Sequence, residues 1–541
     1  MRTHRCAWLI LAIVFTLNTI GSAQTTPAGT QIPIQATANY LDASNNSYSA
    51  ASNTVTLTVA QVGGVQVTLA VNNATLNPGG SYSFPVTVKN TGNGNDYYLL
   101  SPGTLPSGWQ AVFVEDTNGN GQRESTENRV VDRTPTLSMG DEYKLFVVVT
   151  APSGTVSSSE VYQIPFRVTS SFDSQKFVLH NVSADVVNPF NPLWTVTIPG
   201  GSTGDVTVVG GRAIVGAGNG ELHAYWVKGQ SAGTPAWNVS LGSAMSGRVS
   251  AMGSTLFAPT SDGRVQILDL NSGSVQGTRT VASGVSITAS PVVQNGILFV
   301  PAQDGRMYAF DANGNRRSTP QLWGTQFSST PSAPGTTHLW AGTGDGYVVC
   351  FRSSDLQGVW VEIVSPGTPV TSSPWIDIRT NTLFIGAQTG LFYAFNATPD
   401  PTVPHLRWMY DAGSPIVGSP FFDWVAKVVY FGTEDGKIHA VTAEDGMRRD
   451  GYPIQPRDAG KFLGMPIVVR KSGSNTPYIY IGSDKGKFYA INADNPQEFY
   501  LYDGSTNGDS FRRSPSISGL SADDVVVAVS ANGKVLAFPL K

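Results

Sequence analysis

The chain has 541 residues, of which 58 are Gly and 34 are Pro, while only 13% are charged. The length excludes one ordinary core, and the mixture excludes a helix-rich enzyme in favour of many short strands joined by tight turns. The formal net charge is −4 and falls to about −6 once Arg2 and Arg5 leave with the leader described next, which argues against a nucleic-acid partner.

In chain order, residues 1–23 read as a signal peptide: Arg2 and Arg5, an uncharged apolar run over 7–17, then Gly21-Ser22-Ala23 at the cleavage point. The run is too short for a permanent membrane span, and no second apolar span follows. The expectation is export across the inner membrane, to the periplasm or the cell surface. Cys6 leaves with the leader, so Cys350 stands alone and no intrachain disulfide is possible. No cysteine at the cleavage point offers a lipid anchor.

Residues 24–63 form a β-rich segment. Over 64–189, seven strand-like runs (66–71, 82–88, 97–100, 109–114, 143–149, 161–168 and 177–182) alternate with Gly, Pro, Asn and Ser clusters, which predicts an antiparallel sandwich. The phrases VTVKNTGNGNDYYLL and LPSGWQAVF resemble immunoglobulin-like modules of bacterial surface proteins and exported glycosidases. Residues 31–60, ending in SNTVTLTV, look like the tail of another such module. The resemblance implies a spacer or binding platform.

Within this domain, DTNGNGQRESTE at 116–127 satisfies a calcium-loop pattern. Asp116, Asn118, Asn120 and Glu124 supply side-chain oxygens, Gln122 a backbone carbonyl and Glu127 a bidentate carboxylate. The alternative is an Asn-Gly-rich hairpin turn, but a turn alone does not need Glu at the twelfth position, so calcium is the expected cofactor.

From about residue 205 one pattern recurs eight times, in copies such as FVPAQDGRMYAF, WAGTGDGYVVCF and YFGTEDGKIHAV. The shared glycines are Gly220, Gly263, Gly305, Gly346, Gly390, Gly436, Gly486 and Gly533, spaced 41 to 50 residues apart. Each copy reads as a hairpin with Asp-Gly or a relative at its turn, preceded by a strand often opened by Ser-Pro or Thr-Pro and followed by an outer strand. Four strands per repeat make a propeller blade, so the predicted fold is all-β: an immunoglobulin-like β-sandwich followed by an eight-bladed β-propeller over 190–541. The last copy lacks a fourth strand, and residues 193–198, carrying Trp194, are expected to supply it. Trp237, Trp323, Trp360 and Trp408 recur in outer strands, where packing between blades explains them better than a sugar-stacking platform.

The "G-x-x-D-G-x-hydrophobic-Tyr-Ala-hydrophobic" run with its upstream Ser-Pro resembles the PQQ-like propeller repeat. That family includes quinoprotein dehydrogenases and non-catalytic BamB-like outer-membrane assembly proteins. A dehydrogenase of the family commonly carries a disulfide between adjacent cysteines against its quinone, which is impossible here, so bound pyrroloquinoline quinone is not expected. His223 and His439 share a repeat position with Tyr308, Tyr393 and Tyr489 and read as packing residues, and Cys350 as an inert core thiol.

The resulting expectation is a non-catalytic binding or scaffold protein of the bacterial cell envelope, with an envelope or extracellular protein or glycan as partner. A PQQ-dependent dehydrogenase and a purely structural spacer are the alternatives. The longest late connections, 457–463 and 504–513, point to Lys461, Phe511, Arg512 and Arg513 as the partner-binding rim.

Overall fold

The computed structural model describes residues 26–41, 46–153, 161–287, 289–311, 315–317, 322, 325–335, 337–456, 458–521 and 523–541. The leader at 1–23, Trp323, Arg457 and the turn at 312–314 lie outside the described residues. The chain divides into two compact units, the first ending at Val186 and the second running from Val187 to Lys541. Among the described residues no helix is long and apolar enough to cross a membrane.

The first unit contains a sandwich of two four-stranded sheets. One orders Val65–Leu69, Ser81–Asn90, Glu142–Thr150 and Gln110–Glu115; the other orders Asn73–Leu76, Phe177–Val186, Val161–Ser170 and Tyr98–Pro102. Alternation drives the layering: Phe84, Val86 and Val88 point inward from one long strand and meet Ile164, Phe166 and Val168 of the opposite sheet in a single apolar core. Sequence reading anticipated seven strands. The additional one, Asn73–Leu76, is four residues long, lies between Asn-rich and Gly-rich turns, and pairs in parallel with Phe177–Val186. Ahead of the sandwich, Gln31–Ile34 pairs with Val55–Thr58 and Thr37–Leu41 pairs with Ser47–Ala51. Asn93 ties the base of this ribbon down, accepting from the Val62 amide at 2.7 Å and donating to the Ala60 carbonyl at 3.0 Å.

In the second unit, eight sheets follow one another among the described residues. Their central hairpins are Arg212–Gly216 with Glu221–Trp226, Thr255–Pro259 with Arg264–Asp269, Ile297–Pro301 with Met307–Phe310, and His338–Gly342 with Tyr347–Arg352. Then come Thr382–Gly386 with Leu391–Asn396, Val428–Gly432 with Ile438–Thr442, Tyr478–Gly482 with Lys487–Asn492, and Val525–Val529 with Lys534–Pro539. Each hairpin turns at one of the repeat glycines. At Gly346 the requirement is strict: φ is 100° and a Cβ would stand 1.8 Å from the Ser365 carbonyl oxygen.

Successive sheets share an apolar cluster. The first and second meet through Ile214 and Leu256, the fourth and fifth through Cys350 and Ile385, the seventh and eighth through Phe488 and Phe538. The eighth meets the first through Val525, Val527, Ala213 and Val215, so the series closes on itself. Closure is also made by strand pairing: Trp194–Thr197 completes the last sheet, Trp194 opposite Ala537 and Thr197 opposite Lys534. A sheet made from both ends of the chain removes the free edge an open series would leave. Asn188–Pro189 adds a parallel strand beside Phe499–Asp503, which places the boundary between units three residues earlier than the sequence suggested.

Two further series lock the ring. Outer-strand tryptophans donate their indole N–H to a carbonyl of the next sheet: Trp194 to Val227 at 3.2 Å, Trp237 to Leu270 at 2.9 Å, Trp360 to Thr398 at 3.1 Å and Trp408 to Ala443 at 3.1 Å. Three of these rings lie over glycines at positive φ, Gly233, Gly273 and Gly446, where a Cβ would come within 2.5 to 3.1 Å of the indole. The tryptophans therefore pack between blades. Around the inner strands, the residue at the Ser-Pro position donates its amide to the side chain at the same position of the next sheet. The bonds are Arg248 to Ser290 at 2.9 Å, Thr330 to Ser373 at 3.1 Å, Ser373 to Ser419 at 2.9 Å, Met465 to Ser514 at 3.1 Å and Ser514 to Asp205 at 3.1 Å.

Candidate interaction surface

The conspicuous carboxylates of the repeat belong to the hairpin turns, and the fold uses them locally. Thr260, Thr343 and Thr433 each donate their hydroxyl to the aspartate two residues on: to Asp262 at 2.6 Å, Asp345 at 2.5 Å and Asp435 at 2.6 Å. Tyr308 donates its hydroxyl to Asp304 at 2.7 Å. Asp435 also pairs with Lys437, and although its partial burial opposes ionisation, these hydrogen bonds hold its carboxyl below the usual range. Asp435 therefore stays ionised and organises its turn, which makes it a poor proton acceptor at neutral pH.

The four residues expected at the partner rim separate. Lys461 is exposed, ion-paired with Glu434 at 2.8 Å, and borders a recess of about 450 Å³ whose wall also includes Asp435, Asp458, Asp484 and Lys485. Asp484 accepts the Lys461 amide at 2.7 Å, fixing this corner between the sixth and seventh sheets. Arg512 and Arg513 are exposed, Arg512 donating to the Ser510 hydroxyl at 3.2 Å. Phe511 is a correction: it is 1% exposed, packs against Phe488 in the core between the seventh and eighth sheets, and closes over Gly482, so no partner can reach it. An aromatic inside a polar loop reads as exposed from sequence alone, yet here the loop dips to plug the end of a blade interface.

The loop at 116–127 is tightly hydrogen-bonded. Asp116 accepts from the amides of Gly119 at 2.8 Å and Gly121 at 2.9 Å. Glu127, 1% exposed, accepts from the Thr117 amide at 2.9 Å and the Glu124 amide at 3.0 Å. Those bonds, the Glu124 amide first, hold the Glu127 carboxyl below its ordinary range. Asn118 and Asn120 turn their side-chain amides toward Glu124, and Asn120 accepts from the Gln122 amide. The six residues are thus gathered in one loop. Among the described residues, though, no three His, Cys, Asp or Glu side chains stand together in a metal-holding arrangement.

The remaining candidates are packing groups. His439 stacks on Phe431 with centroids 5.1 Å apart and meets the Tyr410 hydroxyl at 3.1 Å; burial lowers its pKa to about 4, keeping it neutral. Cys350 is fully buried and its thiol pKa is pushed up by that burial.

Residues 191–362 match the family model described as outer membrane protein assembly factor BamB. The chain is a propeller-type repeat protein. Its fold is similar to that of BamB from Moraxella catarrhalis, at 16% identity and a TM-score of 0.50, covering 65% of this chain and 98% of that one. It is likewise similar to Saccharomyces cerevisiae Sqt1, at 13% identity and a TM-score of 0.51, covering 65% and 99%, and to the computationally designed Ika8 protein, at 13% and 0.50, covering 64% and 98%. A yeast protein and a designed one beside BamB make this a likeness of fold, which does not carry function. No curated protein sequence matches the chain.

Proposed function

We propose that the protein is a non-catalytic interaction scaffold of the bacterial cell envelope, in which the propeller offers its loops to a protein partner and the sandwich acts as an immunoglobulin-like spacer. The match of residues 191–362 to an outer-membrane assembly factor carries the reading. The use of the repeat's polar groups supports it: hairpin aspartates bond to threonine hydroxyls, His439 is held neutral in the core, and the lone thiol is sealed. Export rests on the leader at 1–23. The exposed rim at Lys461, Arg512 and Arg513 is the contact region. Crosslinking in the native envelope from this rim tests the proposal. A defined partner lost on Arg512→Glu with Arg513→Glu is expected, and the absence of any rim-dependent partner returns the protein to the role of spacer. Dye reduction by protein reconstituted with pyrroloquinoline quinone would instead favour a dehydrogenase.

Calcium at 116–127 is a second proposal for the sandwich. It rests on the oxygen-rich order of the loop and on the burial of Asp116 and Glu127 at its ends.

A further inference from the structure

Lys541 follows the strand Lys534–Pro539, and its ammonium rests on two aromatic faces. Nζ lies 3.8 Å from the ring centroid of Tyr500 and 5.4 Å from that of Phe190. The two rings come from distant parts of the chain. Phe190 arrives on the segment after Asn188–Pro189, its amide bonded to the Leu501 carbonyl at 2.9 Å, and Tyr500 stands on the neighbouring strand Phe499–Asp503. Tyr480 completes the corner, its hydroxyl accepting the Lys541 amide at 2.8 Å. Phe190 is 1% exposed, whereas Tyr500 and Lys541 are both partly exposed, so solvent reaches the outer side of the pair.

Two ring faces turned on one cation are a recognition geometry for organic cations. The present occupant suits it poorly. Lys228, Lys461 and Lys534 each pair with a carboxylate at 2.8 to 2.9 Å, but among the described residues no side-chain carboxylate pairs with Lys541. Burial, and after it the neighbouring Lys471, hold its pKa below the ordinary lysine value. An ammonium is strongly hydrated and loses part of that hydration here without a counter-charge, while a guanidinium is planar, more weakly hydrated and stacks on aromatic faces. We propose that Phe190 and Tyr500 form a binding site for the guanidinium of an arginine side chain on a protein partner, and that Lys541 is a built-in occupant which the arginine displaces. None of these residues belongs to the rim at Lys461, Arg512 and Arg513, so the site is testable whether or not that rim captures a partner.

Saturation-transfer NMR of the full chain with N-acetyl-arginine amide as probe tests this. Lys541→Ala keeps the backbone amide that Tyr480 accepts, and it should bind the probe about tenfold more tightly than wild type. Adding Tyr500→Leu, which keeps apolar bulk but removes the ring, should abolish that gain. Adding Tyr500→Phe instead keeps the ring face and should retain it, which separates loss of the site from loss of the fold. N-acetyl-lysine amide should bind Lys541→Ala more weakly than the arginine probe. A Lys541→Ala chain that binds no better than wild type, a gain that survives Tyr500→Leu or disappears in Tyr500→Phe, or equal binding of the two probes overturns the proposal.

Discussion

The backbone amide of Ser514 donates to Oδ1 of Asp205 at 3.1 Å, joining residues 309 positions apart in the chain. It is the closing member of the series that links Thr330 to Ser373 and Ser373 to Ser419, with a carboxylate where Ser373 and Ser419 place a hydroxyl. A second link between the same two sheets is the pair of Lys228 with Asp524 at 2.9 Å. The ends of the ring are thus held by strand pairing, an apolar cluster and charged hydrogen bonds together.

Asp205→Ala should lower stability by about 1 to 3 kcal/mol, because a hydrogen bond to a charged acceptor is lost and a part-buried amide is orphaned. Ser419→Ala, at an internal junction, should cost about 1 kcal/mol. Chemical denaturation midpoints at unchanged m-value check both.

Trp408 and Gly446 test the outer locks. Gly446→Ala should destabilise by more than about 1 kcal/mol, since φ is 73° and the new methyl would sit 2.5 Å from the indole. Trp408→Phe keeps most of the ring but orphans the Ala443 carbonyl, for about 1 to 2 kcal/mol. Melting curves of both variants should shift downward; a shift absent in Gly446→Ala would mean the indole is not seated there.

His439 gives the ring an acid sensitivity. Burial lowers its pKa to about 4 from an unfolded value near 6.5, so the neutral form favours folding fully above pH about 6.5. That contribution is lost as pH falls from about 6.5 to about 4, where the unfolded chain takes up the proton first. His439→Phe should flatten the dependence of stability on pH within this window. Because it also removes the Tyr410 partner, the slope rather than the absolute stability is the readout.

For the loop at 116–127, calcium should raise the melting temperature of the first unit and chelator should lower it, with little effect on the second. Glu127→Gln should remove the response. Equal melting in calcium and chelator would leave the loop as a turn held by its own amides.

The repeat was legible because its glycines mark turns that other residues cannot make, as Gly346 illustrates, and because a missing fourth strand pointed directly to residues 193–198. What escaped was long-range. Ser373 and Ser419 were readable as strand openers, but their hydroxyls accept amides from a neighbouring repeat, a relation no local pattern encodes. Phe511 was misplaced for the same reason, since its burial is decided by the end of a blade interface distant in sequence. Asn73–Leu76 was missed because four residues between turn signals carry too short an alternation to read. At the rim, Lys461, Arg512 and Arg513 were found as exposed cations, whereas the recess beside Lys461 is built by Asp458 and Asp484 from separate turns.

The closed ring is the claim on which the rest depends, and a disulfide across the closing strands tests it most directly. Thr197 and Lys534 face each other in the register, and native Cys350 is buried and cannot compete. Thr197→Cys with Lys534→Cys, in a chain whose Cys6 is absent or replaced by Ser, should oxidise readily when folded. The bond should raise the unfolding midpoint relative to the reduced form, by about 2 to 4 kcal/mol of stability, because it constrains nearly the whole repeat region of the unfolded chain. Failure of the bond to form in the native protein, or its formation with no gain in stability, would contradict closure.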